Sequence, residues 1–288
     1  MSIASRLTGL AQGVSARRAQ RRDDPEAPAR AAMESGLMTW SEVLSALIIR
    51  ETRTQFAQQS LGYLWAFITP IAWIGLFVVV FTLMGRKSPI NTDIVSFLAT
   101  GFLGYLSFFR RTFDQVQGAI KANRQLMFVD RVAPSDLAIA RSVLGLQTSI
   151  TVFVVVTLAN LLVFRNGEVD QALTVCFGLG LAWGIGASLG WLAAIIGQVV
   201  TSLQQILQIV LRPMFWISGL FYTANEIPQS LAQYLWYNPV FHAIEITRNG
   251  MFLNYESTLA EAWYPLLWIA ATIFIAQIAD RIIGRRVL

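Results

Sequence analysis

The sequence has one cysteine, one histidine and little charge, with Asp, Glu, Lys and Arg together making up only 14% of its 288 residues. A single Cys176 inside an apolar run excludes a disulfide framework and a cysteine-based metal cluster. His242 stands alone, with no second His or Cys to share a metal, and is expected to be structural. No GxxxxGK(S/T) loop occurs, and neither Lys87 nor Lys121 follows the glycine pattern such a loop needs, so no segment can cradle a nucleotide's phosphates. HExxH, CxxC and carboxylate pairs placed for catalysis are missing too. The N-terminal arginines are followed by no early apolar region or small-residue cleavage site, so no signal peptide is expected.

What is present belongs to a bilayer. Hydrophobic residues make up 55% and the mean hydropathy is +0.53. Residues 64–84, 94–109 and 142–164 are apolar runs suited to crossing, the second being short and ending in Arg110 and Arg111. No charge appears from Gln171 to Leu211, about twice a span, and the polar stretch GQVVTSLQQ (197–205) divides it into a fourth and a fifth crossing, the fifth running from about Leu203 to Tyr222. Residues 262–279 make the sixth. Of the 22 basic residues, 17 fall in residues 1–60, 110–141 and the C-terminal tail, all on one side of a six-span arrangement. The positive-inside rule then places both termini in the cytoplasm. The basic residues flank apolar runs rather than forming one patch, so the formal charge of +5 reflects topology and not nucleic-acid binding.

Three regions follow from this pattern. Residues 1–35, rich in Arg and Ala without apolar period, read as a disordered basic cytoplasmic tail. Residues 36–60 read as an amphipathic helix on the inner membrane surface: Trp40, Val43, Leu44, Leu47 and Ile48 share one face, with Glu42, Glu51 and Arg53 away from it. Residues 61–288 form the six-span domain. The connection 121–136 sets Leu126, Met127, Phe128 and Val129 among Arg124, Asp130, Arg131 and Asp136. It is either a solvated loop packed on its neighbours or a short helix that enters a partner's groove. Gly180/Gly184 and Gly186/Gly190 form two GxxxG patterns that permit close helix approach, within one chain or between two.

Residues 228–252 are too broken to span and too aromatic for a solvated loop. Arg212 is the one charge left inside a span, where insertion costs at least about 2.5–3.5 kcal/mol. It either pairs with Glu245 or Glu226 or lines a pathway and attracts an anionic cargo. No Asp or Glu lies in the six runs, so the chain reads as a passive pathway whose energy arrives from elsewhere.

Residues 47–81 resemble the opening signature of ABC-2-type transporter permeases, closest to the inner-membrane subunit that exports capsular polysaccharide in Gram-negative bacteria. The matching residues are Arg50 and Glu51, Leu61 and Gly62, Trp65, and Pro70. A second likeness covers 211–252, with Asn238, Pro239, Glu245 and Arg248 its most specific part. The arginine-rich tail before residue 35 is longer than that pattern needs. The resemblance implies an all-α bundle built from two copies of this chain and two copies of a separate ATPase. ATP and Mg would be bound by the ATPase, with no cofactor in this chain. It implies an ATPase-coupling helix at 121–136 and a re-entrant segment holding Asn238, Pro239, His242, Glu245 and Arg248 between spans five and six. A substrate pathway would run along Trp65, Trp73, Arg212, Tyr222, Trp236 and Tyr237. The cargo would be a lipid-linked polysaccharide, passed on to periplasmic and outer-membrane export proteins. O-antigen, teichoic acid or another amphipathic cargo is an alternative, and a non-transporting scaffold a more distant one.

Overall fold

The computed structural model describes residues 27–57, 64–90, 92–128, 132–164, 169–253 and 255–287. All regular elements among them are helical. The chain divides into two compact units, Met1–Ala46 and Leu47–Leu288. Helix α1 (Ala27–Ala57) begins inside the segment read as tail, where an Ala-rich run with Pro28 in the first turn suits a helix start.

Four helices are long and apolar enough to cross a membrane: α2 (Trp65–Leu83), most of α6 (Pro134–Phe164), α7 (Ala172–Ile196) and most of α11 (Trp263–Val287). Two of the six apolar runs build other elements. The second becomes α3 (Ile94–Phe102), an eight-residue π-helical stretch (Leu103–Arg110) and α4 (Arg111–Gln117), joined end to end. Every residue from Ser96 to Tyr105 is buried, which makes this broken helix the axis of the bundle. The fifth run becomes α8 (Leu203–Ile217), only 15 residues long, with Pro213 inside it. The expected end at Tyr222 is not reached, because Gly219 adopts φ 78° and turns the chain, a conformation that costs glycine nothing.

Local chemistry explains the boundaries. Gly85, at φ 66°, closes α2: its N–H donates to the Thr82 carbonyl (3.1 Å) while the Arg86 N–H donates to Phe81 (2.9 Å), a Schellman motif. Asp93 caps α3, accepting from the Ser96 N–H at 2.8 Å. Pro134 opens α6 eight residues before the expected start at 142, and Asp136 accepts from the Ala133 N–H at 2.9 Å.

Side-chain contacts define two ends of the bundle. At one, Ile120, Ala194, Ile195 and Ala276 pack together, which gathers the C-terminal parts of α7 and α11 with the segment after α4. At the other, Arg86 donates to the Phe221 carbonyl (2.7 Å) and Asn160 to Ser96 (2.6 Å), uniting the end of α2, the start of α3, the end of α6 and the turn after α8. Successive long helices therefore run in alternating directions. Between the turn after α8 and α11 lie α9 (Gln229–Leu235) and α10 (Pro239–Met251). In α10 and its flanks every residue from Asn238 to Phe252 except Asn249 is buried.

Candidate functional site

At the first end, Asn123 follows the short α5 (Ala119–Ala122) and precedes a 3-10 turn (Arg124–Phe128). Its side-chain Oδ1 accepts from Arg50 Nη1 at 2.7 Å, and its Nδ2 donates to the Glu51 carboxylate and to the Ala119 backbone carbonyl. Glu51 is only 4% exposed and pairs with Arg141 of α6 at 3.1 Å. Arg141 also donates to the Gln115 carbonyl at 3.3 Å. The Arg-acid pair of the signature thus grips, through one asparagine, the segment in which coupling residues are expected, and ties it to α4 and α6. Of that set, Arg124 and Met127 line a cavity and Leu126 is half-buried. Phe128 ends the turn, and Val129, Asp130 and Arg131 lie outside the described residues. Arg53 is exposed, and in the first unit so is Trp40.

Arg212 projects from the exposed side of α8 and makes no hydrogen bond or ion pair with a described residue. The expected partners are engaged elsewhere: Glu245 pairs with Arg248 at 2.9 Å, and Glu226 lies 3.9 Å from Arg86 while closing a capping box with Thr223. Neither pairing expected for Arg212 is seen among the described residues: α10 holds Glu245 inside the bundle against Arg248, and Glu226 turns to Arg86, while Arg212 is exposed. Gln205, Ile209 and Trp216 share the exposed stripe of Arg212 at helical spacing. Trp73 of α2 packs on Phe215 of α8, ring centres 5.5 Å apart, and Trp65 is exposed at the start of α2. Past α8, a cavity of about 620 Å³ opens among Arg86, Trp216, Tyr222, Glu226 and Tyr234.

The residues expected to form a re-entrant segment make a clasp. Asn238 caps α10 by accepting from the Val240 N–H (3.0 Å), and its amide donates to the Ile217 carbonyl and the Ser218 hydroxyl. Pro239 fills the first helical position, where no amide hydrogen is needed. Glu245 and Arg248 are fully buried. Glu245 accepts from the Ala224 N–H, the Tyr255 hydroxyl (2.6 Å) and the Ser257 hydroxyl (2.7 Å). Arg248 donates to the Leu220 and Tyr222 carbonyls and lies 4.3 Å over the Phe97 ring. These groups fasten the turn after α8 to the bundle axis. His242 Nε2 donates to the Trp236 carbonyl (2.7 Å), and Nδ1 accepts from the Glu261 N–H (3.1 Å). Burial pushes the His242 pKa down, against smaller upward effects from the Trp236 carbonyl and from Glu261 and Glu245. Trp236 packs on Tyr264 and His242, ring centres 4.6 and 5.8 Å away, whereas Tyr237 is exposed.

Sequence reasoning missed Asn123, Arg141, Arg86 and Trp216. Asn123 borders the run in which coupling residues are expected, and Arg86 is one of two adjacent cations, with Lys87, just beyond the first apolar run; Arg141 and Trp216 carry no local signal.

The ABC-2 type transporter family model matches residues 42–252. Polysialic acid transport protein KpsM of Escherichia coli is 28% identical over 245 residues, covering 84% of this chain and 93% of that protein. The capsule polysaccharide export inner-membrane protein CtrC of Neisseria meningitidis is 26% identical over 238 residues (80% and 87%). BexB of Haemophilus influenzae, of the same description, is 26% identical over 238 residues (78% and 86%).

Proposed function

The chain belongs to the ABC-2 type transporter family, and we propose that it is the permease subunit of an ATP-driven exporter that moves lipid-linked capsular polysaccharide from the cytoplasm across the inner membrane. The observation that carries this reading is a likeness along most of the chain to proteins named for capsule polysaccharide export or polysialic acid transport. In this reading the chain is a multi-pass inner-membrane protein with six crossings and both termini in the cytoplasm. The alternating helix directions and the one-sided distribution of basic residues support that topology.

Two copies of the chain work with two copies of a separate ATPase, which binds ATP and Mg. The grip of Arg50, Glu51 and Arg141 on and around Asn123 supports a relay by which movement of the 121–136 connection reaches α1 and α6. The second copy covers the side of α8 that carries Arg212 and encloses a pathway that one copy leaves open. Along it, Trp65, Trp73, Trp216, Tyr222 and Tyr237 offer aromatic faces to sugar rings, and the planar fork of Arg212 suits carboxylate and phosphate groups. Periplasmic and outer-membrane export proteins receive the polymer beyond the extracytoplasmic end.

Deletion of the gene followed by localisation of the polymer tests the reading. Finished chains accumulate inside the cell, and the intact gene restores their export. Loss of synthesis, or unchanged surface polymer, overturns it.

A further inference from the structure

At the Asn123 end, the C-terminal parts of α4 and α7 and the polar stretch after α7 surround a cavity of about 270 Å³. Lys121 and Arg124 stand on its wall, and none of its lining residues is acidic. Gln117, Gln198, Thr201 and Gln204 add polar groups, while Ile120, Met127 and Ala194 supply an apolar surface.

Two of the amides have unmet hydrogen-bonding capacity. The side-chain oxygen of Gln117 and the side-chain nitrogen of Gln198 are buried and have no hydrogen-bond partner. Gln117 is only 7% exposed, so bulk solvent does not serve it. A buried polar atom left unpaired costs about 1–3 kcal/mol. Such groups are retained where something else pairs with them.

The two orphans ask for different things. Gln198 offers N–H bonds beside two cations, which calls for an anionic acceptor. Gln117 offers an acceptor, which calls for a hydroxyl donor. One ligand satisfies both if a phosphate or carboxylate sits a bond or two from a hydroxyl. The volume lies just under the roughly 300–1,000 Å³ of drug-sized sites, enough for one headgroup and not for a length of polymer.

We propose that this cavity binds the anionic, hydroxyl-bearing head of the exported glycolipid, with Lys121, Arg124 and Gln198 on the anion and Gln117 on the hydroxyl. The proposal rests on the export reading and deepens it. Arg124 and Met127 belong to the 3-10 turn beside Asn123, so an occupied cavity braces the segment that meets the ATPase. Cargo at this site thereby reports its presence to the motor before transport begins.

The test uses the purified full-length chain, without ATPase, in phosphatidylcholine nanodiscs. Glycerol 3-phosphate and galacturonate are titrated separately by calorimetry, with neutral glycerol and inorganic phosphate as comparisons. Saturable binding of the phosphate probe assigns the site to a lipid-linker phosphate, and of the galacturonate to a sugar acid. Either supports the proposal if Lys121→Ala and Gln198→Leu each weaken binding about tenfold. Gln117→Leu should weaken the hydroxyl-bearing probe and spare inorganic phosphate. Each variant must keep the wild-type melting temperature to be scored, and Lys121→Gln provides a second cation variant if Lys121→Ala does not fold. Binding of neither probe, or binding that these changes leave intact, overturns the site and leaves the cavity to the ATPase. Such a failure does not touch the export reading, which stands or falls on where the polymer collects in the deletion strain.

Discussion

His242 shows how one buried side chain makes stability depend on pH. In the fold its Nε2–H faces the Trp236 carbonyl and its Nδ1 faces an N–H of the chain. A second proton would therefore meet a donor, and burial adds a further penalty for charge. The folded-state pKa is depressed, while the unfolded chain titrates near about 6.5. Below that pH the unfolded state binds more protons, so stability falls as pH drops from about 6.5; above it both states are neutral and this dependence ends. Melting temperatures between pH 8 and 5 should decline more steeply below pH 6.5 for the wild type than for His242→Gln. Equal slopes would remove His242 from the account. Arg212 calls for the opposite experiment, since it makes no hydrogen bond or ion pair among the described residues. Arg212→Ala is expected to keep the wild-type abundance and melting temperature while export falls about tenfold, and Arg212→Lys to fall between, because it keeps the charge and loses the fork. Unchanged export in both variants would take Arg212 off the pathway.

Among the elements, α7 sets how closely the bundle packs, and its glycines are not equivalent. A methyl group at Gly190 would come within 3.0 Å of the Phe113 carbonyl oxygen, and one at Gly186 would run into the Phe109 carbonyl. Gly180, within the other GxxxG pattern, has open space around it. Forcing a larger side chain into a packed contact costs typically about 1–3 kcal/mol, and backbone cannot yield as a side chain tip does. Gly186→Val should therefore strip folded protein from the membrane, whereas Gly180→Val should leave its yield and melting temperature near wild type. The joint between α1 and α6 makes a second test. Arg141→Ala takes a cation from a carboxylate that is 4% exposed, a change that costs up to about 3–5 kcal/mol when a buried pair is broken. The melting temperature should fall, and Glu51→Gln added to Arg141→Ala should recover part of the loss. If the double variant melts no higher than the single one, the pair is not coupled.

For the whole molecule the alternation of helix directions puts Gln125 and Gln233 at opposite ends of the bundle, both exposed. With Cys176 as the chain's one thiol, a Cys176→Ser background permits single-cysteine mapping. Gln233→Cys should react with a membrane-impermeant maleimide in spheroplasts, and Gln125→Cys only after the membrane is opened. The reverse pattern would invert the topology. The apolar segments were legible in the sequence because apolar length is summed over whole segments, so no tertiary contact is needed to read it. Four of the six runs became long helices, and the Asn238–Arg248 stretch stood out through its mixture of prolines, aromatics and charges.

Pairings lay beyond that reach. Arg212 and Glu226 are close in sequence, yet Glu226 turns to Arg86, which is separated from it in the chain by the α3–α4 run, α6, α7 and α8. Asn123 looks like any loop asparagine until α1 folds back across 72 residues to bring Glu51 against it. The π-helical stretch interrupts a run that hydropathy reads as uniform, and the early stop of α8 comes where Gly219 adopts a left-handed conformation. Composition and periodicity determined that the chain is a helical membrane protein, and roughly where its long apolar helices lie, because solvent acts on each segment separately. Which buried charge meets which, and which amide is left without a partner, only the tertiary structure decided, because such a contact depends on residues far apart in the chain and on the space left between them.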